Sequence, residues 1–229
     1  MRFLSLPAQG RLPAVLRRLA VIAALAASCA PATTVAAIPL RILVYGDSLS
    51  SGYNLPEQAG LASVLLRRLR ADGYENVIVL NGSVAGNTSR DGLQGLPSAL
   101  QYGADLVIVE FGGNDMLQHV NPGVTYQNLD AIIKISRAQG ARVILAGMLS
   151  LPKNGPYYNA AFDSIYPALA ARNRVPLYPF FLSGVYGHPG LMQADQEHPT
   201  AAGVHRIVAG IAPMVERNLN RRGTATASR

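Results

Sequence analysis

The sequence predicts an α/β domain with a parallel sheet and helices on both of its faces. Two observations carry that prediction: short apolar runs continuous enough to be buried on both sides, and longer helix-period stretches that alternate with them. A third, the gathering of glycines and small polar residues just after the strands, points to a site at the sheet's carboxyl edge.

The first expected strand, residues 41–45, reads RILVY and stops at Gly46, where Asp47 and Ser48 follow at once. A helix is expected over residues 61–72, ended by Gly73, then a strand over 77–81 leading into NGSVAGNTS. A second helix, 90–101, precedes a strand at 106–110 that runs into FGGNDML, and a third, 125–139, ends at Gly140 before a strand at 142–146. After Ser150 the pattern loosens into LPKNGPYYN. A helix over 160–172, a fifth strand over 175–178, the loop ADQEHPT and a last helix over 200–220 complete the chain. No internal repeat or composition break divides these elements, so residues 38–229 are expected to form one domain.

Composition narrows the function. Of 229 residues, 49% are hydrophobic and 14% charged, which excludes a disordered class. The net charge of +7 does not mark a nucleic-acid binder. Arg2, Arg11, Arg17 and Arg18 lie in the first 37 residues with no acid, and the rest carries 16 basic against 13 acidic residues, with no basic stripe interleaved with aromatics. Residues 1–37 have the three parts of a secretory signal peptide: a basic stretch, the apolar LAVIAALAAS, and small residues up to Ala37. A periplasmic or secreted location is expected. Cys29, the only cysteine, leaves with that segment rather than anchoring a lipid, so thiol catalysis and disulfides are not expected.

The loops at the carboxyl edge compose a reaction. Ser48, exposed on a strand-to-helix turn, is the candidate nucleophile; a helix-capping serine would suit the same turn, and the other loops decide against that reading. Serine needs a base, and His198 follows the last strand with Asp195 three residues before it, close enough to fix the imidazole tautomer. Three donors are available to an oxyanion: the backbone N–H groups of Ser48 and Gly86 and the side-chain amide of Asn114. Asp47 and Asp115 read as turn-holding acceptors. Of the other histidines, His119 is placed where it would line the mouth of a site, His188 in a turn, and His205 within the final helix. No histidine stands at metal-ligand spacing and no phosphate-binding glycine loop is present, so neither metal nor nucleotide cofactor is expected. Position 50 is serine where a G-x-S-x-G elbow has glycine, which disfavours the standard α/β-hydrolase fold.

Taken in order, GDSLS, NGSVAGNTS, GGND and DQEHP resemble the four sequence blocks of the SGNH hydrolase (GDSL esterase/lipase) superfamily over residues 42–203. YGDSLSSGYNL, EFGGNDML and LMQADQEHPTAAG are most similar to its bacterial periplasmic acyl-CoA thioesterase, lysophospholipase and arylesterase branch. The resemblance implies a flavodoxin-like three-layer α/β/α sandwich with a central five-stranded parallel sheet and no metal. It also implies Ser48, Gly86, Asn114 and His198 as the four namesake residues, with Asp195 as triad acid. That branch commonly has glycine just after the acid, where this chain has Gln196. The expected partner is a small acyl or aryl ester, with a transient contact with membrane lipid and no nucleic acid. Two rival readings remain: a deacetylase of cell-wall or extracellular polysaccharide, as related enzymes are, and a non-catalytic binding protein on the same scaffold. Chain length, head group and oligomeric state depend on loop shape and partners rather than on these motifs.

Overall fold

The computed structural model describes residues 38–226, with side chains to residue 220. The expected signal peptide and Cys29 lie outside the described residues. Five strands, β1 (Leu40–Gly46), β2 (Val77–Asn81), β3 (Leu106–Glu110), β4 (Arg142–Ala146) and β5 (Leu177–Tyr178), form one parallel sheet in the order β2-β1-β3-β4-β5. This is the flavodoxin-like order, in which the chain reverses direction across the sheet between β1 and β3. Ile42, Leu106 and Ile144 are fully buried on adjacent strands, which explains why these segments read as unbroken apolar runs.

Right-handed crossovers from β1 leftward to β2, and from there rightward to β5, put helices on opposite faces. Leu61–Ala71 (α2) covers one face together with the terminal helix. The other face carries Ser89–Ala99 (α3), Pro122–Ala138 (α5) and Ile165–Asn173 (α7), packed side by side. The terminal helix, α8, runs Ala201–Thr226 and packs on α2. Two one-turn helices sit at the carboxyl edge, Ser48–Ser51 (α1) and Gly113–Leu117 (α4), directly after β1 and β3. None of the described helices is long and apolar enough to cross a membrane.

Three of the differences from the sequence reading have a clear local reason. The expected helix over 160–172 is two helices, Pro156–Asp163 (α6) and α7. Pro167 has no N–H to give the carbonyl of Asp163, so the ladder breaks where the helices meet. The fifth strand is two residues long, because Arg174 adopts a left-handed conformation (φ 52°) and Pro176 cannot donate to a neighbour. α3 begins one residue early, where Thr88 and Asp91 form a reciprocal capping box.

Candidate active site

The crevice lies at the reversal between β1 and β3, where open α/β sheets bind ligands. Gly46 ends β1 against β3 so closely that a Cβ there would lie 2.2 Å from the Glu110 carbonyl and 2.3 Å from Ser50 Oγ. Only glycine brings the strand end this near, and the chain turns at once into α1. Asp47 caps that helix, Oδ1 accepting from the Leu49 N–H at 3.0 Å, and Ser48 is its first residue.

Ser48 Oγ is 2.8 Å from His198 Nε2, and His198 Nδ1 is 2.8 Å from Asp195 Oδ2. Nδ1 donates to the carboxylate, which leaves Nε2 as the acceptor facing the hydroxyl. The Asp195 carboxylate also accepts from the backbone N–H groups of Glu197 (3.0 Å) and His198 (3.1 Å) through Oδ1. These two amides and then the imidazole hold its pKa down at about 2. The loop is closed by Gln193 N–H donating to the His198 carbonyl (2.7 Å), and the Gln193 amide bridges Pro199 to the Tyr53 carbonyl. The Tyr53 ring lies 4.5 Å from the imidazole, walling one side of it. Gln196 stands at φ 59°, a left-handed conformation that suits glycine better, and the Asp195–His198 contact forms all the same.

Gly86 has φ +85°, open to glycine at no steric cost, and lines the same cleft as Asn114. One N–H of the Asn114 amide is given to the Asn87 carbonyl at 3.0 Å, which fixes the side chain across the loop that carries Gly86. The cleft measures about 680 Å³, within the range of small-molecule sites. Apolar side chains from three segments line it: Met116 and Leu117 after β3, Met148 and Leu151 after β4, and Phe180 and Leu182 after β5. Tyr157 does not line the cleft and is exposed. His119 does not line the cleft either; its ring lies 5.5 Å from that of Tyr158, tilted by 48°. His188 and His205 are exposed, in a turn and on α8 respectively.

Sequence reasoning passed over the layer beneath Ser48. Glu110, the last residue of β3, is fully buried, as is Asp47. Ser50 Oγ lies 2.9 Å from Glu110 Oε2 and 3.0 Å from Ser83 Oγ. Burial pushes the Asp47 carboxyl up to about 7, opposed by the Leu49 amide. Burial first, and the charge of Asp47 second, push Glu110 well above the usual carboxylate range. Asp115 is also wholly buried, and its carboxylate accepts from Ser89 and Thr125 rather than holding its own turn.

A sheet of this topology whose crevice joins a hydroxyl, an imidazole and a carboxylate to an apolar cleft has the outfit of a carboxylic ester hydrolase, and that is the class of this chain. It belongs to the GDSL-like lipase/acylhydrolase family, whose model matches residues 44–206. The chain is 40% identical over 176 residues to esterase TesA of Pseudomonas aeruginosa, covering 76% of this chain and 87% of that one. It is 41% identical over 160 residues to thioesterase 1/protease 1/lysophospholipase L1 of Escherichia coli K12, covering 69% and 74%. Among solved structures, a crystal structure of TesA superposes with a TM-score of 0.74 at 40% identity, covering 78% of this chain and 99% of that one.

Proposed function

We propose that this protein hydrolyses acyl and aryl esters, lysophospholipids and acyl thioesters among them, through an acyl-enzyme on Ser48. The observation that carries the reading is the unbroken line Asp195–His198–Ser48, two contacts of 2.8 Å opening into an apolar cleft. Ser48 Oγ attacks the carbonyl carbon as His198 Nε2 takes its proton, and Asp195 stabilises the imidazolium. The oxyanion accepts from the backbone N–H groups of Ser48 and Gly86 and from the side-chain amide of Asn114. Collapse breaks the bond to the alcohol or thiol, which leaves with the proton from His198. Water then gives a proton to His198 and its oxygen to the acyl carbon; the second collapse returns the proton to Ser48 and releases the acid. Every group is regenerated, and no metal or cofactor enters a step.

The names of the relatives support ester and thioester substrates, and the Met, Leu and Phe lining supports an acyl or aryl group over a sugar. We further propose that residues 1–37 direct export and that the mature enzyme works outside the cytoplasm. The test is a panel of p-nitrophenyl esters of increasing chain length beside acetylated polysaccharide. Turnover that rises beyond acetate is expected. Release of acetate from the polysaccharide, with no p-nitrophenyl ester cleaved, would replace this reading with the deacetylase.

A further inference from the structure

We infer that Asp115 is a positioning residue that sets the spacing of the two oxyanion-hole loops; the inference rests on the roles proposed above for Gly86 and Asn114. Those donors come from separate parts of the chain. Gly86 lies on the loop between β2 and α3, and Asn114 on α4 after β3, and β2 and β3 are not neighbours in the sheet. Asp115 does so directly. It follows Asn114, is only 1% exposed, and reaches the first residue of α3, three places after Gly86. Its Oδ2 accepts the Ser89 backbone N–H at 2.7 Å and its Oδ1 accepts the Ser89 hydroxyl at 2.5 Å. Thr125 Oγ1 donates to Oδ1 at 3.0 Å, so α5 is drawn into the same knot, and Asn128 Nδ2 donates to Ser89 Oγ at 3.0 Å.

Ser89 and Thr125 are themselves fully buried, so these donors have no water to fall back on. One carboxylate therefore clamps the start of α3 to α4, and the Asn114–Asn87 hydrogen bond is the second rung of the same clamp. With both rungs in place, Gly86 and Asn114 face one cleft at a fixed separation. Oxyanion stabilisation depends on donors held at the right place before charge develops, and a misplacement of about 1 Å is worth on the order of 100-fold in rate.

The test is a double-mutant cycle on the full chain, read as kcat, KM and Tm with p-nitrophenyl butyrate. Asp115→Ala is expected to lower kcat about 10- to 100-fold with KM within about twofold. Asp115→Asn restores most of the rate, because its oxygen accepts from Ser89 N–H and the two hydroxyls can turn to accept from its amide. Combined with Asn114→Ala, the loss is expected to fall at least about fivefold short of the product of the single losses, since the donor being positioned is gone. Losses that multiply in full, or a Tm drop with kcat of the folded enzyme unchanged, would overturn the inference and leave Asp115 a structural residue. An unchanged kcat in Asn114→Ala alone would instead remove the oxyanion reading beneath it. Where Asp115→Ala does not fold, Ser89→Ala enters the same cycle in its place.

Discussion

The two halves of the candidate triad are supported in opposite ways. Ser48 rises from the core: its turn lies on β1, with Asp47, Ser50 and Glu110 buried beneath it and no more than 1% exposed. Asp195 and His198 stand on a surface loop, their side chains 37% and 13% exposed, held by the loop's own amides, by Gln193 and by the ring of Tyr53. The difference separates two jobs. A nucleophile must sit at one point relative to the oxyanion donors, so it is built into packed structure. The base and its acid need only face it in the right tautomer, and a short hydrogen-bonded turn suffices for that.

This contrast predicts that changes on the loop side uncouple activity from stability. Asp195→Ala is expected to lower kcat on the order of 10⁴-fold while Tm moves by no more than about 2 °C. A large Tm loss in that variant would break the contrast. On the core side, stability itself should follow pH. Asp47 at about 7 and Glu110 well raised both bind protons more tightly folded than unfolded, so the stability they contribute is present in acid and, for Asp47, is lost as pH rises through about 7. Glu110→Gln removes one of the two titrating groups and is expected to make the fall in Tm with rising pH shallower. An unaltered Tm–pH curve would move the buried titration elsewhere. The smallest effect is expected from Gln196→Gly, which relieves the left-handed backbone and gains about 0.5 kcal/mol in a thermal or urea melt, with kcat within twofold.

The strands and the order of the site loops were legible because buried parallel strands leave unbroken apolar runs and because Ser48, Gly86 and Asn114 stand within five positions of a strand end and Asp195 and His198 within three of one another. The clamp was not. Asp115 and Ser89 are 26 residues apart, and only the packing of α3 against the sheet brings them together. Glu110 was hidden for a different reason: an acid that closes a strand reads as its exit to solvent, whereas here Gly46 lets β1 seal it in. The division of α6 from α7 was written in Pro167, whose missing N–H matters only once the helix has a definite start.

The central claim is that Ser48 is the nucleophile, and covalent labelling tests it most directly. Purified protein is treated with a fluorophosphonate, then analysed by intact mass and peptide mapping beside Ser48→Ala and His198→Ala. The account predicts one adduct, on Ser48, formed much more slowly in His198→Ala, absent in Ser48→Ala, and matched by loss of esterase activity. An adduct on another residue, or folded protein that takes up no label and turns over no ester, would contradict it and leave the binding-protein reading in its place.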